Sequence, residues 1–124
     1  MRKTVLIIDD NREFAKTLCE TIGTKGFKAD CIYTRKHLET FMDADEKCPD
    51  YLLMDYSFTE DVRGQLVGNI RRRCLITKII LITGSSSARN EAGHMIKNKQ
   101  IDGYILKPFS ANDFLSVAGS LKKP

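Results

Sequence analysis

The sequence predicts an α/β domain, a five-stranded parallel sheet with helices on both faces. Three observations carry this. Short apolar runs alternate five times with segments whose apolar residues recur at helical spacing, the pattern of successive βαβ crossovers. The runs at 5–8 and 78–82 are almost wholly apolar, as strands are when both sheet faces are covered. No Pro- or Gly-rich linker interrupts the 124 residues, and 42% apolar with 29% charged residues is ordinary for a globular domain. One domain over residues 1–124 is expected, large enough to bury a core without staples.

The elements follow in order. The first strand is Thr4–Ile8. A helix over 12–24 places Phe14, Ala15, Leu18, Cys19 and Ile22 on one face, with Asn11 as N-cap and Gly26 closing the connection. In the strand at 27–32, Phe27, Ala29 and Cys31 alternate with Lys28 and Asp30, which suits a sheet edge. Thr34 caps a helix over 35–44 that turns Leu38, Phe41 and Met42 inward. The strand at 51–54 stops at Asp55, and a loop over 56–61 leads to a helix over 62–72. The strand at 78–82 ends at Thr83-Gly84. The polar stretch 85–100 holds a weak helix carrying Ala88, Ala92, Met95 and Ile96. The last strand, 101–106, runs into Lys107-Pro108-Phe109, and Ser110 caps a helix over 111–121 presenting Phe114, Leu115 and Ala118.

Composition excludes several classes. Cys19, Cys31, Cys48 and Cys74 form no CxxC or Cys/His cluster, so a zinc site is not expected. An even count does not make a disulfide framework; Cys19 and Cys31 fall on apolar positions and read as small core residues in a reducing compartment. The four-residue apolar run after Met1-Arg-Lys-Thr is too short for a signal-peptide core or a membrane span, so a cytoplasmic protein without a membrane partner is expected. Formal charge is +4, from 20 Lys and Arg against 16 Asp and Glu, with cations clustered at Arg71-Arg72-Arg73 with Lys78 and at Arg89, Lys97 and Lys99. No recognition helix or interleaved aromatics accompany these cations, so they read as solvated helix ends rather than a nucleic-acid surface. His37 and His94 have no ligand spacing and read as surface residues. Tyr51 is placed among the strands, and Tyr33 and Tyr56 at strand ends.

The informative residues stand where strands end. The first strand ends at Asp9-Asp10, the third at Asp55, the fourth at Thr83 and the fifth at Lys107. In an open parallel sheet these carboxyl ends share one edge, where ligands bind at the switch point of strand order. Each residue alone is most often a turn former, a cap or a solvated lysine; those readings do not explain their common edge. Three converging carboxylates call for a hard divalent cation, and Mg²⁺ (or Mn²⁺ in its place) suits oxygen ligands and phosphate. With Thr83 as hydroxyl donor and Lys107 as cation, the set fits phosphoryl transfer to Asp55 as nucleophile.

Strand–Asp9-Asp10, strand–Asp55, strand–Thr83 and strand–Lys107-Pro108-Phe109 together resemble the receiver domain of bacterial two-component response regulators, over essentially the whole chain. The resemblance implies a flavodoxin-like (βα)5 fold with strand order 2-1-3-4-5. It implies Asp10 and Asp55 as direct metal ligands, Asp9 partly through water, and the Ser57 backbone carbonyl completing the set. Asp55 becomes the phosphorylated residue, with Lys107 and Thr83 as its catalytic partners. Thr83 and Tyr104 become the switch pair, and the Lys107–Pro108 peptide is expected to be cis. The implied partners are a sensor histidine kinase or a histidine phosphotransfer protein, and an output protein at the face of helix four, strand five and helix five. The protein is implied to be a monomer or a weak phosphorylation-dependent dimer, catalysing at most its own Mg²⁺-dependent phosphorylation and dephosphorylation.

The sequence departs from the family pattern in three places. Thr59 stands where the loop after the phosphoacceptor usually has proline, Gly64 comes one residue late, and Glu60 and Asp61 add charge nearby. Without proline's fixed φ a less preorganised loop is expected. Gly84-Ser85-Ser86-Ser87 follows the switch hydroxyl, a poor helix start that predicts a short, shifted or mobile fourth helix. The chain is also basic where the family is more often acidic. Two alternatives stay open: a non-phosphorylated pseudo-receiver, and a receiver cut from a longer regulator with a DNA-binding or enzymatic output domain, which the Lys122-Lys-Pro124 ending would also fit. A small Mg²⁺-dependent phosphatase is disfavoured, because Ser57 stands where its second acid would be needed.

Overall fold

A computed structural model defines residues 2–44, 47–59, 65–84 and 88–121, and structural statements below concern those residues. The elements are β1 (Thr4–Ile8), α1 (Arg12–Gly23), β2 (Lys28–Ile32), α2 (Arg35–Asp43), β3 (Tyr51–Asp55), a 3₁₀ turn (Tyr56–Thr59), α3 (Gln65–Arg73), β4 (Lys78–Thr83), α4 (Ala88–Lys97), β5 (Gly103–Leu106) and α5 (Ala111–Ser120). All strand pairs are parallel, in the order β2-β1-β3-β4-β5. This is the flavodoxin-like doubly wound arrangement, with its switch point between β1 and β3.

Strand periodicity sorts the core into two layers. Leu6, Ile8, Leu52, Met54, Ile79 and Leu81 face α2, α3 and α4, where Leu38, Val67, Ile70 and Met95 meet them. Val5, Ile7, Leu53, Ile80 and Ile82 face the other way, onto Ala15, Leu18 and Ile22 of α1 and Phe114 and Ala118 of α5. Alternate residues of one strand therefore belong to different layers, which is why the central runs had to be apolar throughout. Tyr51 sits in the second layer, with Phe27 and Phe114 edge-on at 6.2 and 5.7 Å.

Local chemistry fixes the helix ends. Asn11 Oδ1 accepts from Phe14 N, and Thr34 Oγ1 accepts from His37 N. Ser110 and Asp113 form a reciprocal capping box on α5. Gly26 takes φ +98°, a left-handed value that suits glycine in the turn before β2.

Several boundaries differ from those expected. β3 extends to Asp55 and β4 to Thr83, because both residues still pair across the sheet, Asp55 with Ile82 and Thr83 with Leu106. β2 and β5 start later, at Lys28 and Gly103. Residues 56–59, expected as open loop, form the 3₁₀ turn. Ala92 and Met95 of α4 are buried, while His37 and His94 are exposed. Glu60, Asp61, Gly64, Ser85 to Ser87, Lys122 to Pro124 and the Arg89 side chain lie outside the described residues.

Cysteine pairing was not anticipated. Cys48, in the connection from α2 to β3, is disulfide-bonded to Cys74, just past α3, whereas Cys19 and Cys31 are free and half-buried.

Candidate metal centre at the carboxyl edge of the sheet

The carboxyl ends of β1 and β3 bring Asp9, Asp10 and Asp55 together, with one carboxylate oxygen of each within 4.8 Å of the others. Register produces this: Val5 to Ile8 pair with Tyr51 to Met54, so the residues following Ile8 and Met54 emerge side by side. Asp9 is buried at 1% exposure, Asp55 is half-buried and Asp10 faces solvent. Asp9 N donates to Ile32 O at 3.1 Å, anchoring this corner to β2. Its Oδ1 accepts from Asn11 N at 2.9 Å.

Lys107 reaches into the cluster from the end of β5. Its Nζ lies 3.1 Å from Asp9 Oδ2 and 3.2 Å from Asp55 Oδ1, and stands 4.6 Å above the centre of the Phe14 ring. Its backbone is tied to β4 by Lys107 N donating to Thr83 O at 2.8 Å; the Lys107–Pro108 peptide is cis. Phe109 packs edge-on against Phe14 at 5.6 Å, so Lys107 rests on a fixed aromatic floor. Thr83 is buried at 2% exposure. Tyr104 is half-buried and packs against the α2–α3–α4 layer.

Electrostatics follow from burial. Desolvation raises the Asp9 carboxyl above its ordinary value, only partly offset by the Asn11 N–H and Lys107, and Asp55 adds to the rise. Burial alone would lower Lys107, but Asp9 and Asp55 outweigh it and raise its value. Lys107 is therefore a firm cation, one charge among three carboxylates. Among the described residues, Asp9 Oδ2 is buried without a well-formed hydrogen bond, with the Lys107 charge 3.1 Å away. A buried, under-satisfied carboxylate oxygen beside two more carboxylates fits a hard divalent cation such as Mg²⁺.

The turn after Asp55 is anchored from two sides. Ser57 donates its N–H to Asp55 Oδ2 at 3.1 Å, and its hydroxyl contacts the same oxygen. Arg35, the first residue of α2, donates to Phe58 O at 2.7 Å with its guanidinium over the Phe58 ring, and Phe58 itself is buried. Thr59 thus lacks proline's restraint, but the turn has a clamp in its place. From sequence Phe14 reads only as part of an apolar helix face, and neither it nor Arg35 is placed in the site. The only available signals were a cation opening a helix and an aromatic in its first turn, and neither names a partner.

A doubly wound sheet carrying a carboxylate cluster and a lysine at its switch point defines a Mg²⁺-binding, phosphoryl-accepting signalling domain. The response regulator receiver domain family matches residues 5–118, and the chain belongs to that family. No curated protein sequence matches the chain significantly. Among solved structures, a CheY-like receiver domain protein from Methanospirillum hungatei JF-1 superposes with TM-score 0.79 at 20% identity, over 98% of this chain and 94% of that one. The response regulator TrrA of Thermotoga maritima, solved with Mg²⁺ and BeF, gives 0.74 at 22% identity over 97% and 99%. A Burkholderia pseudomallei response regulator, solved with a phosphorylated aspartic acid, a calcium ion and citrate, gives 0.77 at 23% over 93% and 65%. At these identities the likeness shows the fold. The family and the Asp9–Asp10–Asp55 cluster together support acceptance and loss of a phosphoryl group by the chain itself, and imply a phosphohistidine protein as donor. No helix among the described residues is long and apolar enough to cross a membrane.

Proposed function

We propose that residues 1–124 act as a cytoplasmic receiver that takes a phosphoryl group from phosphohistidine onto Asp55. The observation that carries this is Lys107 Nζ bridging Asp9 and Asp55 at 3.1 and 3.2 Å within a three-carboxylate cluster. Asp9, Asp10, Asp55 and the Ser57 carbonyl would hold Mg²⁺. When bound, the ion neutralises the cluster and draws charge from the phosphoryl oxygens.

This chain's own residues supply the rest. Asp55 Oδ1, the oxygen that Ser57 does not hold, attacks phosphorus; the O–P bond forms as the N–P bond breaks, and the electron pair leaves with the imidazole. Ser57 N–H fixes the carboxylate through Oδ2, so attack begins from one orientation. Lys107, already charged and held over Phe14, meets the negative charge arriving on the phosphoryl oxygens. The Thr83 hydroxyl turns to the phosphoryl group, and Tyr104 follows inward. That motion re-forms the face of α4, β5 and α5, where an output protein docks.

Labelling by acetyl phosphate or phosphoramidate is expected to require Mg²⁺, to place one phosphoryl group on the wild type, and to vanish in Asp55→Asn. A stable label retained by Asp55→Asn would overturn the assignment. Beryllofluoride with Mg²⁺ is expected to shift the amide signals of Tyr104 and α4; unchanged signals would leave phosphorylation without this output.

A further inference from the structure

The edge of the sheet opposite the carboxylate cluster holds a second reactive feature. Cys48 precedes β3 and Cys74 follows α3, so their disulfide lies at the amino ends of the strands. Cys48 is half-buried and lines a cleft of about 500 Å³, within the roughly 300–1,000 Å³ typical of small-ligand sites. Arg2, Lys3, Lys28 and Lys47 line the same cleft, and all four are exposed. Among the described lining residues, these four cations face two carboxylates, Asp30 and Asp50, the latter accepting from Thr4 N at 2.8 Å. The lining thus favours an anion.

A third component sits behind the disulfide. Arg73 Nη1 lies 3.7 Å from Cys48 Sγ and 3.5 Å from Cys74 Sγ. The guanidinium is fixed by its Nη2 bond to Ala44 O at 2.7 Å and by the Phe41 ring 5.3 Å away. A guanidinium beside a sulfur stabilises its thiolate, the form that attacks and the form that leaves in exchange. Cys74 is only 2% exposed, so a reagent entering from the cleft meets Cys48 first. Cys19 and Cys31 provide the contrast: burial pushes the Cys31 thiol up to about 12 and raises Cys19 as well.

We propose that Cys48 and Cys74 form a thiol–disulfide exchange site whose cleft takes an anionic low-molecular-weight thiol or disulfide of the glutathione class. On reduction, the small thiolate attacks Cys48 Sγ, the Cys48–Cys74 bond breaks, and Cys74 departs as a thiolate beside Arg73. A second small thiolate attacks the ligand sulfur of the mixed disulfide and releases Cys48. Two small thiols thereby become one small disulfide, and their two protons pass to the cysteines. Oxidation by the small disulfide runs the same steps backwards. In a glutathione-buffered compartment such a bond forms and breaks instead of persisting.

The test uses the full chain, acid quench, alkylation and mass spectrometry of the cysteine peptides. In Cys74→Ser, glutathione disulfide is expected to leave a single adduct on Cys48. In the reduced wild type it should yield the Cys48–Cys74 bond and two glutathione molecules. At low salt, glutathione disulfide should react about tenfold faster than cationic cystamine, with the gap closing as salt rises. The double variant Lys28→Gln/Lys47→Gln should remove most of that preference, slowing glutathione disulfide far more than neutral hydroxyethyl disulfide; equal slowing of both would overturn the anion preference. Arg73→Met should raise the pH at which Cys48 becomes alkylatable. The proposal fails if cystamine reacts as fast as glutathione disulfide, if Cys19 or Cys31 reacts first, or if only a protein dithiol reduces the bond.

Discussion

Asp9 shows how one buried charge can serve a site at the expense of the fold. Its carboxyl is raised chiefly by desolvation, so the native state holds that proton more tightly than the unfolded chain does. A raised folded value gives stability that is whole below the unfolded value and is lost as pH rises through the folded one. At neutral pH, ionised Asp9 therefore opposes folding. Asp9→Asn is expected to stabilise the metal-free protein by roughly 1 kcal/mol and to weaken the stabilisation by Mg²⁺, both read by thermal unfolding with and without the ion. A lower melting temperature without Mg²⁺ would show that the Lys107 pair outweighs burial. The same sign applies at Cys31, whose neutral thiol donates to Ala15 O at 3.3 Å and whose ionisation moves from the ordinary 9.0 to about 12. Stability is expected to fall as pH climbs from 9 through 12, with Cys31→Val flattening that fall and no Cys31 thiolate absorbance seen at pH 9.

At the scale of elements, one side chain of α3 ties the turn into β4 to the approach to β5. Leu75 and Ile76 are 74% and 86% exposed and add little packing, although Cys74 and Thr77 on either side of them are buried. Arg71 closes it instead, donating to Thr77 O at 2.9 Å and to Asp102 Oδ2 at 2.6 Å. Asp102 Oδ2 also accepts from Ile79 N at 2.8 Å, so α3, β4 and the approach to β5 meet at one carboxylate. Arg71→Met keeps the stem but removes the donors, and is expected to cost about 2 kcal/mol in urea unfolding. An unchanged midpoint would mean that water replaces the guanidinium. These ties also mark what the sequence could convey. The central strands were legible because both faces are buried, and the helices because their caps are local, as at Asn11, Thr34 and Ser110. The Arg35 clamp on Phe58 and the Arg71–Asp102 pair span 23 and 31 residues, and no spacing rule announces them.

For the molecule as a whole, the carboxylate site was legible because topology alone gathers strand ends, and Asp9, Asp55, Thr83 and Lys107 are all strand ends or their immediate followers. The Cys48–Cys74 bond was not, since both residues lie in connections whose meeting depends on how α2 and α3 pack side by side. Closing a 26-residue separation restricts the unfolded chain, so reduction is expected to cost about 3 kcal/mol, or roughly 10 °C of melting temperature. Thermal unfolding with and without reductant measures it, with Cys48→Ser as the control that should no longer respond. The two chemistries stand at opposite ends of β3, whose five residues hold them roughly 17 Å apart. If both proposals hold, two messages can be written on one small molecule at once, and a reader touching both rims would respond only to their coincidence.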